Sequence, residues 1–137
     1  MQLTRESDHA LAGLAFLSAQ PLGEYVALAE IAEARNLPKA FLAKTFQKLA
    51  RHGVLDSSRG RSKGYTLARS ANDISVLDVL VAVEGPGLVH RCALWPTTCS
   101  GETPCPLHPF LKDHTQALEQ RLTEISIADL YPLEARA

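Results

Sequence analysis

Between residues 7 and 19 apolar side chains recur at helical spacing, with Leu11, Leu14 and Ala15 on one face and Ala10, Leu14 and Leu17 on an adjoining row. The pattern predicts a helix, broken by Gln20-Pro21-Leu22-Gly23. Tyr25 and Val26 can begin a short extended piece. Leu28, Ile31 and Ala32 share a face of a second, short helix to about Arg35, and Asn36 suits its end because asparagine tolerates the left-handed conformation. Pro38 opens a third helix, where a missing N–H has no partner to lose. Its apolar stripe is Leu42, Phe46 and Leu49, flanked by Phe41 and Thr45, and Gly53 ends it. Residues 54–58 and 64–67 read as two paired strands. Ser75 and Asp78 have capping-box spacing ahead of a fourth helix carrying Val76, Leu77, Leu80 and Val81, which Gly85-Pro86-Gly87 stops. From about Pro106 to Ile125, Leu107, Leu111, His114, Leu118, Leu122 and Ile125 recur every three or four residues, with Phe110 and Ala117 widening the stripe. A small domain has little core left to cover so long an apolar face, so this helix is expected to pack against its copy in a homodimer. Residues 126–130 form a short terminal turn or helix.

The expected fold is therefore mainly α with a small β-hairpin wing. A winged helix-turn-helix spans residues 1–84, a cysteine-rich loop 85–109, and a long C-terminal dimerisation helix with its tail 106–137. A chain of 137 residues suits one domain or a small domain with an appendage. Its 46% hydrophobic and 21% charged residues are ordinary for a globular protein, and no apolar run reaches membrane-spanning length. The polar, mixed-charge start MQLTRESDHAL is unlike a secretory signal. An odd number of cysteines then points away from a disulfide framework and toward a reducing, cytoplasmic setting.

The net charge of −1 conceals an uneven distribution. Eight of the 14 basic residues lie between Arg35 and Lys63, a stretch whose single acid is Asp56. Two short helices joined by a tight turn, the second carrying lysines, fit either a solvated helical hairpin or a helix-turn-helix. The following hairpin has Arg59-Gly60-Arg61-Ser62-Lys63 at its tip, and a basic wing directly after such a helix favours binding to double-stranded DNA. Lys39 and Ala40 sit where base edges are reached, followed by Phe41, Lys44 and Thr45. Lys48, Arg51, Arg59, Gly60, Arg61 and Lys63 suit the phosphates. A dimer would set two such helices about one helical turn apart on a near-palindromic operator.

The remaining chemistry lies in Arg91–His108, RCALWPTTCSGETPCPLH, which holds all three cysteines, Cys92, Cys99 and Cys105, with His108 three residues after the last. Prolines and a glycine keep the segment out of regular structure. Three thiolates and an imidazole complete a ligand set for zinc or for an iron–sulfur centre, whereas free cysteine usually prefers buried apolar positions. An enzyme is not expected: there is no phosphate-cradling glycine motif, no nucleophile elbow and no Cys-x-x-Cys.

Leu3-Thr4 followed by Asp8-His9-Ala10-Leu11, Ile31-Ala32, Phe41-Leu42, Leu49 with Gly53, Ser58-Arg59-Gly60 ahead of Gly64-Tyr65-Thr66-Leu67, and the cysteine triad stand in one order. Together they resemble the bacterial winged-helix regulators typified by IscR and NsrR, from Leu3 to Leu130. The resemblance implies a homodimeric transcription factor, in the main a repressor, with an iron–sulfur cluster held by Cys92, Cys99 and Cys105. The cluster type, 2Fe–2S or 4Fe–4S, stays open with the fourth ligand. His108 stands where one pattern has a histidine, and Asp8 where another has an aspartate from the partner subunit; His9 is a third option. The resemblance further implies a response to nitric oxide, redox stress, or iron and cluster supply. A structural zinc or a redox thiol switch is the alternative. Where the family has adjacent glycines before the wing tyrosine this chain has Ser62-Lys63-Gly64, so its preferred operator is expected to differ.

Overall fold

The computed structural model describes residues 3–59 and 63–134, and the side chains as far as Leu130. Its elements are α1 (Arg5–Ser18), α2 (Leu28–Ala34), α3 (Lys39–Arg51), β1 (Leu55–Ser58), β2 (Gly64–Leu67), one 3-10 turn at Ala71–Asp73, α4 (Val76–Glu84), α5 (His108–Glu124) and α6 (Ile127–Glu134). Leu14, Ile31, Leu42, Phe46, Leu49, Ile74, Val79 and Ile127 meet at the centre, all excluded from solvent. They come from α1, α2, α3, α4 and α6 and the segment before α4, so the winged domain and the last helix share one core.

Local signals place most boundaries. Asn36 takes the left-handed conformation at φ 52°, and Leu37 N–H donates back to Ala32 O at 2.8 Å, which turns the chain from α2 into α3. Gly53 does the same at φ 74°, with Val54 N–H reaching Leu49 O at 3.0 Å. Ser75 and Asp78 form the reciprocal capping box of α4. Arg69 then clamps the wing base to that box, donating to Gly53 O at 2.9 Å and to Asp78 Oδ2 at 3.1 Å.

The wing is an antiparallel pair with Leu55 opposite Leu67 and Ser58 opposite Gly64. Val26 adds a single rung on the other edge, exchanging two 2.9 Å hydrogen bonds with Tyr65. Gly64 permits this approach, since a Cβ there would stand 2.6 Å from Val26 O. Gly13, in the middle of α1, has an equivalent reason: a Cβ would meet the Phe46 ring at 2.8 Å.

Three boundaries differ by two residues or more from the sequence expectation, one of them the end of α6, which runs to Glu134 rather than 130. Helix α1 starts at Arg5 rather than near residue 7, with Thr4 extended ahead of it and bonded far along the chain (below). Helix α5 starts at His108 rather than Pro106: His108 N–H donates to Cys105 O at 2.9 Å, making Pro106 and Leu107 a turn. No residue of α5 is buried. Leu122 packs against the small cluster of Val76, Leu80 and Leu88, while Phe110 is 61% exposed. Among the described residues, no helix is long and apolar enough to cross a membrane.

Candidate nucleic-acid interface and cysteine centre

Helix α3 can turn only one face outward, because Leu42, Phe46 and Leu49 are committed to the core. The exposed residues are Lys39, Ala40, Phe41, Lys44, Gln47 and Arg51. Ala40, Lys44, Gln47 and Arg51 follow one another at steps of four, three and four residues, which aligns them along the helix. Phe41 is 40% exposed and meets the His9 ring edge-on, with centroids 5.2 Å apart.

Two residues expected on this face lie elsewhere. Thr45 is fully buried, its hydroxyl 3.2 Å from both Glu6 Oε1 and Phe41 O, because its position falls in line with the apolar stripe. Its side chain therefore does not belong with the DNA-facing set. Lys48 is turned toward α1, where its ammonium lies 2.9 Å from the Glu6 carboxylate. Gln47, uncharged and so outside the expected basic set, is exposed at helical spacing from Lys44 and Arg51.

Between α3, the start of α2 and the wing runs a groove of about 570 Å³ lined by Lys39, Gln47, Arg59 and Lys63 among others. Arg59 and Lys63 are exposed at the two ends of the wing tip; Gly60 and Arg61 lie outside the described residues. The acid of this basic stretch, Asp56, accepts a 2.7 Å hydrogen bond from the Tyr25 hydroxyl, which holds that phenol above its ordinary pKa.

The second site is the loop after α4. Gly85, at φ 99°, turns the chain out of the helix, and Arg91 Nη2 donates back to Glu84 O at 3.1 Å. The loop then folds the three half-buried thiols together, all Sγ atoms lying within 4.8 Å of one another. Cys92 and Cys105 stand 3.9 Å apart. His108, at the start of α5, has its Nδ1 3.4 Å from Cys99 Sγ but does not lie within 4.8 Å of all three sulfurs. Trp95 N–H points at Cys92 Sγ and Cys105 N–H at Cys99 Sγ, each at 3.4 Å. The N–H groups of Trp95 and Leu94 hold the Cys92 thiol below its ordinary pKa. For Cys99 the Cys105 N–H acts in the same direction, but burial and the two neighbouring thiols outweigh it and raise the pKa. The exposed Asp8, on α1, is not part of this intrachain thiol group.

These donors fit a thiolate-binding metal centre. Hydrogen bonds from backbone N–H groups to the sulfurs stabilise the anionic form that a metal requires. The 3.9 Å Cys92–Cys105 separation is close to what two sulfurs sharing one tetrahedral ion adopt, about 3.8 Å from 2.3 Å metal–sulfur bonds. A cluster spreads its terminal thiolates over more than one iron and asks them to stand further apart. The segment that carries them is held by turns rather than by a helix or strand, which leaves room for that adjustment.

A helix-turn-helix with a hairpin wing, followed by a thiol loop, defines a winged-helix transcriptional regulator. The chain belongs to the Rrf2 family, described as iron-dependent transcriptional regulators, whose model matches residues 3–132. It is 30% identical over 130 residues to a protein of Haemophilus influenzae named as a candidate HTH-type transcriptional regulator, covering 95% of this chain and 86% of that one. It is 28% identical, over 95% of this chain and 75% of the relative, to the HTH-type transcriptional regulator IscR of Vibrio atlanticus. Among solved structures it resembles CymR, the global cysteine regulator of B. subtilis, with a TM-score of 0.78 at 20% identity over 97% of this chain and 98% of CymR. That likeness shows the winged-helix fold.

Proposed function

We propose that this transcriptional regulator is a repressor that senses nitric oxide, redox stress or iron and cluster status through an iron–sulfur cluster. Cys92, Cys99 and Cys105 would hold the cluster. His108 is the fourth ligand within the chain; Asp8 of a second copy is the other option. The observation that carries this reading is the convergence of three thiols within 4.8 Å, with His108 Nδ1 3.4 Å from one of them, in a loop rooted directly on the winged domain. A bound cluster would supply iron that reacts with nitric oxide and oxidants.

The chain's own residues would do the rest. Residues 1–84 bind DNA, residues 85–109 hold the sensor, and residues 106–137 pair two copies. Leu107, just before α5, and Phe110 in its first turn are exposed, 44% and 61%, which supports that pairing. The dimer would set its two α3 helices in successive major grooves of a near-palindromic operator. Lys39, Ala40, Phe41, Lys44 and Gln47 would face base edges. Arg51, Arg59, Lys63 and the wing-tip Arg61 would neutralise phosphates, and Gly60 would let the wing backbone come close to them.

The first experiment is absorption and Mössbauer spectroscopy of protein purified without oxygen, with selection of bound sequences from a random duplex pool. Iron–sulfur absorption that Cys92→Ala abolishes, and a recovered near-palindrome, are expected. The Mössbauer parameters separate 2Fe–2S from 4Fe–4S. Protein that stays colourless after treatment with iron and sulfide would overturn the cluster. A structural zinc or a thiol switch is the second reading, favoured by the 3.9 Å Cys92–Cys105 spacing that suits one ion.

A further inference from the structure

The end of α4, from which the thiol loop departs, and the helix that faces DNA are both bound by the start of α1. On one side stands Glu84, the last residue of α4. Its Oε1 accepts from Thr4 N–H at 2.8 Å, from Thr4 Oγ1 at 2.7 Å and from Ser7 Oγ at 2.6 Å. Ser7 is fully buried, so its hydroxyl has no water to turn to. On the other side stands Glu6, which takes Lys48 Nζ at 2.9 Å and the buried Thr45 hydroxyl at 3.2 Å, both from α3. Burial acts to raise the Glu84 carboxyl, but the Ser7 and Thr4 hydrogen bonds, and last the Lys48 charge, bring it below its ordinary value.

Glu84 faces the sensor loop as well. Its carbonyl accepts from Arg91, the residue before Cys92. Thr4, Glu84, Arg91, Cys92 and Pro96 line one cavity of about 290 Å³, so the first turn of α1 and the first thiol share a wall. On this wall the Glu84 carboxylate accepts from Thr4 and Ser7. A displacement of Arg91 and Cys92 therefore pulls on the end of α4. Through three hydrogen bonds to one oxygen it pulls on residues 4–7, and through Glu6 on Thr45 and Lys48.

We propose that Glu84 is the positioning residue that ties the state of the cysteine loop to the pose of the recognition helix, with the Thr4–Ser7 turn as its lever and Glu6 as its grip on α3. The inference rests on the sensing role proposed for the loop. It differs from that role in naming a coupling element that binds neither metal nor DNA.

The test uses the full chain as wild type, Glu84→Ala, Glu84→Gln and Ser7→Ala, with the duplex recovered by the selection above. Affinity for that duplex is measured with the loop loaded and with it metal-free and reduced. The wild-type ratio is expected to fall in the range of about 5- to 150-fold, and to shrink to within about twofold in Glu84→Ala and Ser7→Ala. Glu84→Gln keeps an oxygen acceptor and should retain part of it. A second readout needs no metal. Coupling is reciprocal, so the duplex should change the rate at which iodoacetamide alkylates the loop thiols of metal-free wild type, and should not in Glu84→Ala or Ser7→Ala. If Glu84→Ala does not fold, Ser7→Ala carries both measurements, because it removes one hydroxyl and leaves the loop intact. Folded variants that keep the wild-type ratio and the wild-type change in alkylation overturn the proposal. A wild type with equal affinity in both states overturns the sensing role instead, and the alkylation comparison still decides whether Glu84 couples the two regions.

Discussion

Lys48 of the recognition helix holds Glu6 of α1 at 2.9 Å, although the sequence gives it the look of one more phosphate-binding lysine. The pair is partly exposed, with 40% of the lysine and 20% of the glutamate side chain open to water, so solvent screens it and its share of stability is within about 1 kcal/mol. Its larger consequence is for DNA. Glu6→Gln releases the ammonium toward the phosphates. The slope of log affinity against log salt should steepen by about 0.9, the increment for one added phosphate contact, with little change in melting temperature. An unchanged slope would mean that Lys48 already reaches DNA from its present position.

Thr45 and Gln47 form a contrasting pair two residues apart. Gln47→Ala removes an exposed amide able to pair with an adenine edge, and should weaken operator binding by about 1–3 kcal/mol while relaxing preference at one base pair. Thr45→Val leaves the exposed face unaltered. It should leave sequence preference as it is and cost about 1 kcal/mol of stability through the lost hydrogen bond to Glu6. A binding series against single-base variants of the operator distinguishes them.

Gly13→Ala tests the packing of α1 on α3. Alanine favours a helix over glycine by about 1 kcal/mol. The added methyl, however, would stand 2.8 Å from Cζ and 2.9 Å from Cε1 of Phe46, a ring with no solvent side to retreat to. Overpacking of this kind costs about 1–3 kcal/mol, so the net change should be destabilising. Gly13→Ala combined with Phe46→Leu should lose less than the two single changes added together, as read by urea denaturation.

Acid should unfold the protein partly through Glu84 and Asp129. Burial acts to raise the Glu84 carboxyl, but the hydrogen bonds from Ser7 and Thr4 and the Lys48 charge outweigh it and bring it below the ordinary 4.5. Asp129 lies below the ordinary 3.8 because Ser126 N–H, then Ser126 Oγ, donates to it. Each folded-state value is lower than the unfolded one, so the ionised form is the one folding favours. Their stabilisation is complete above the unfolded values and disappears as pH falls through the folded ones. The double variant Glu84→Gln and Asp129→Asn should therefore start less stable at neutral pH and lose less between pH 5 and 2, measured by thermal unfolding across that range.

Much of the molecule was legible where the cause is local. The left-handed Asn36, the Gly53 helix end and the Ser75–Asp78 box depend on residues within a few positions of each other, and the structure repeats them. The grouping of the three thiols was legible as well, since they lie on one short loop.

What lay beyond the sequence is set by contacts between distant positions. Whether Thr45 or Gln47 faces outward depends on the rotation of α3, and that rotation follows from Phe46 seating on Gly13, 33 positions away in the chain. Thr4, extended ahead of α1, does not cap it with its hydroxyl but donates that hydroxyl to Glu84, 80 residues on. Periodicity names the apolar stripe of each helix because burial repeats with the helical turn. It cannot say which polar residue at the edge of a stripe finds a partner, because that partner is supplied only when the helices pack.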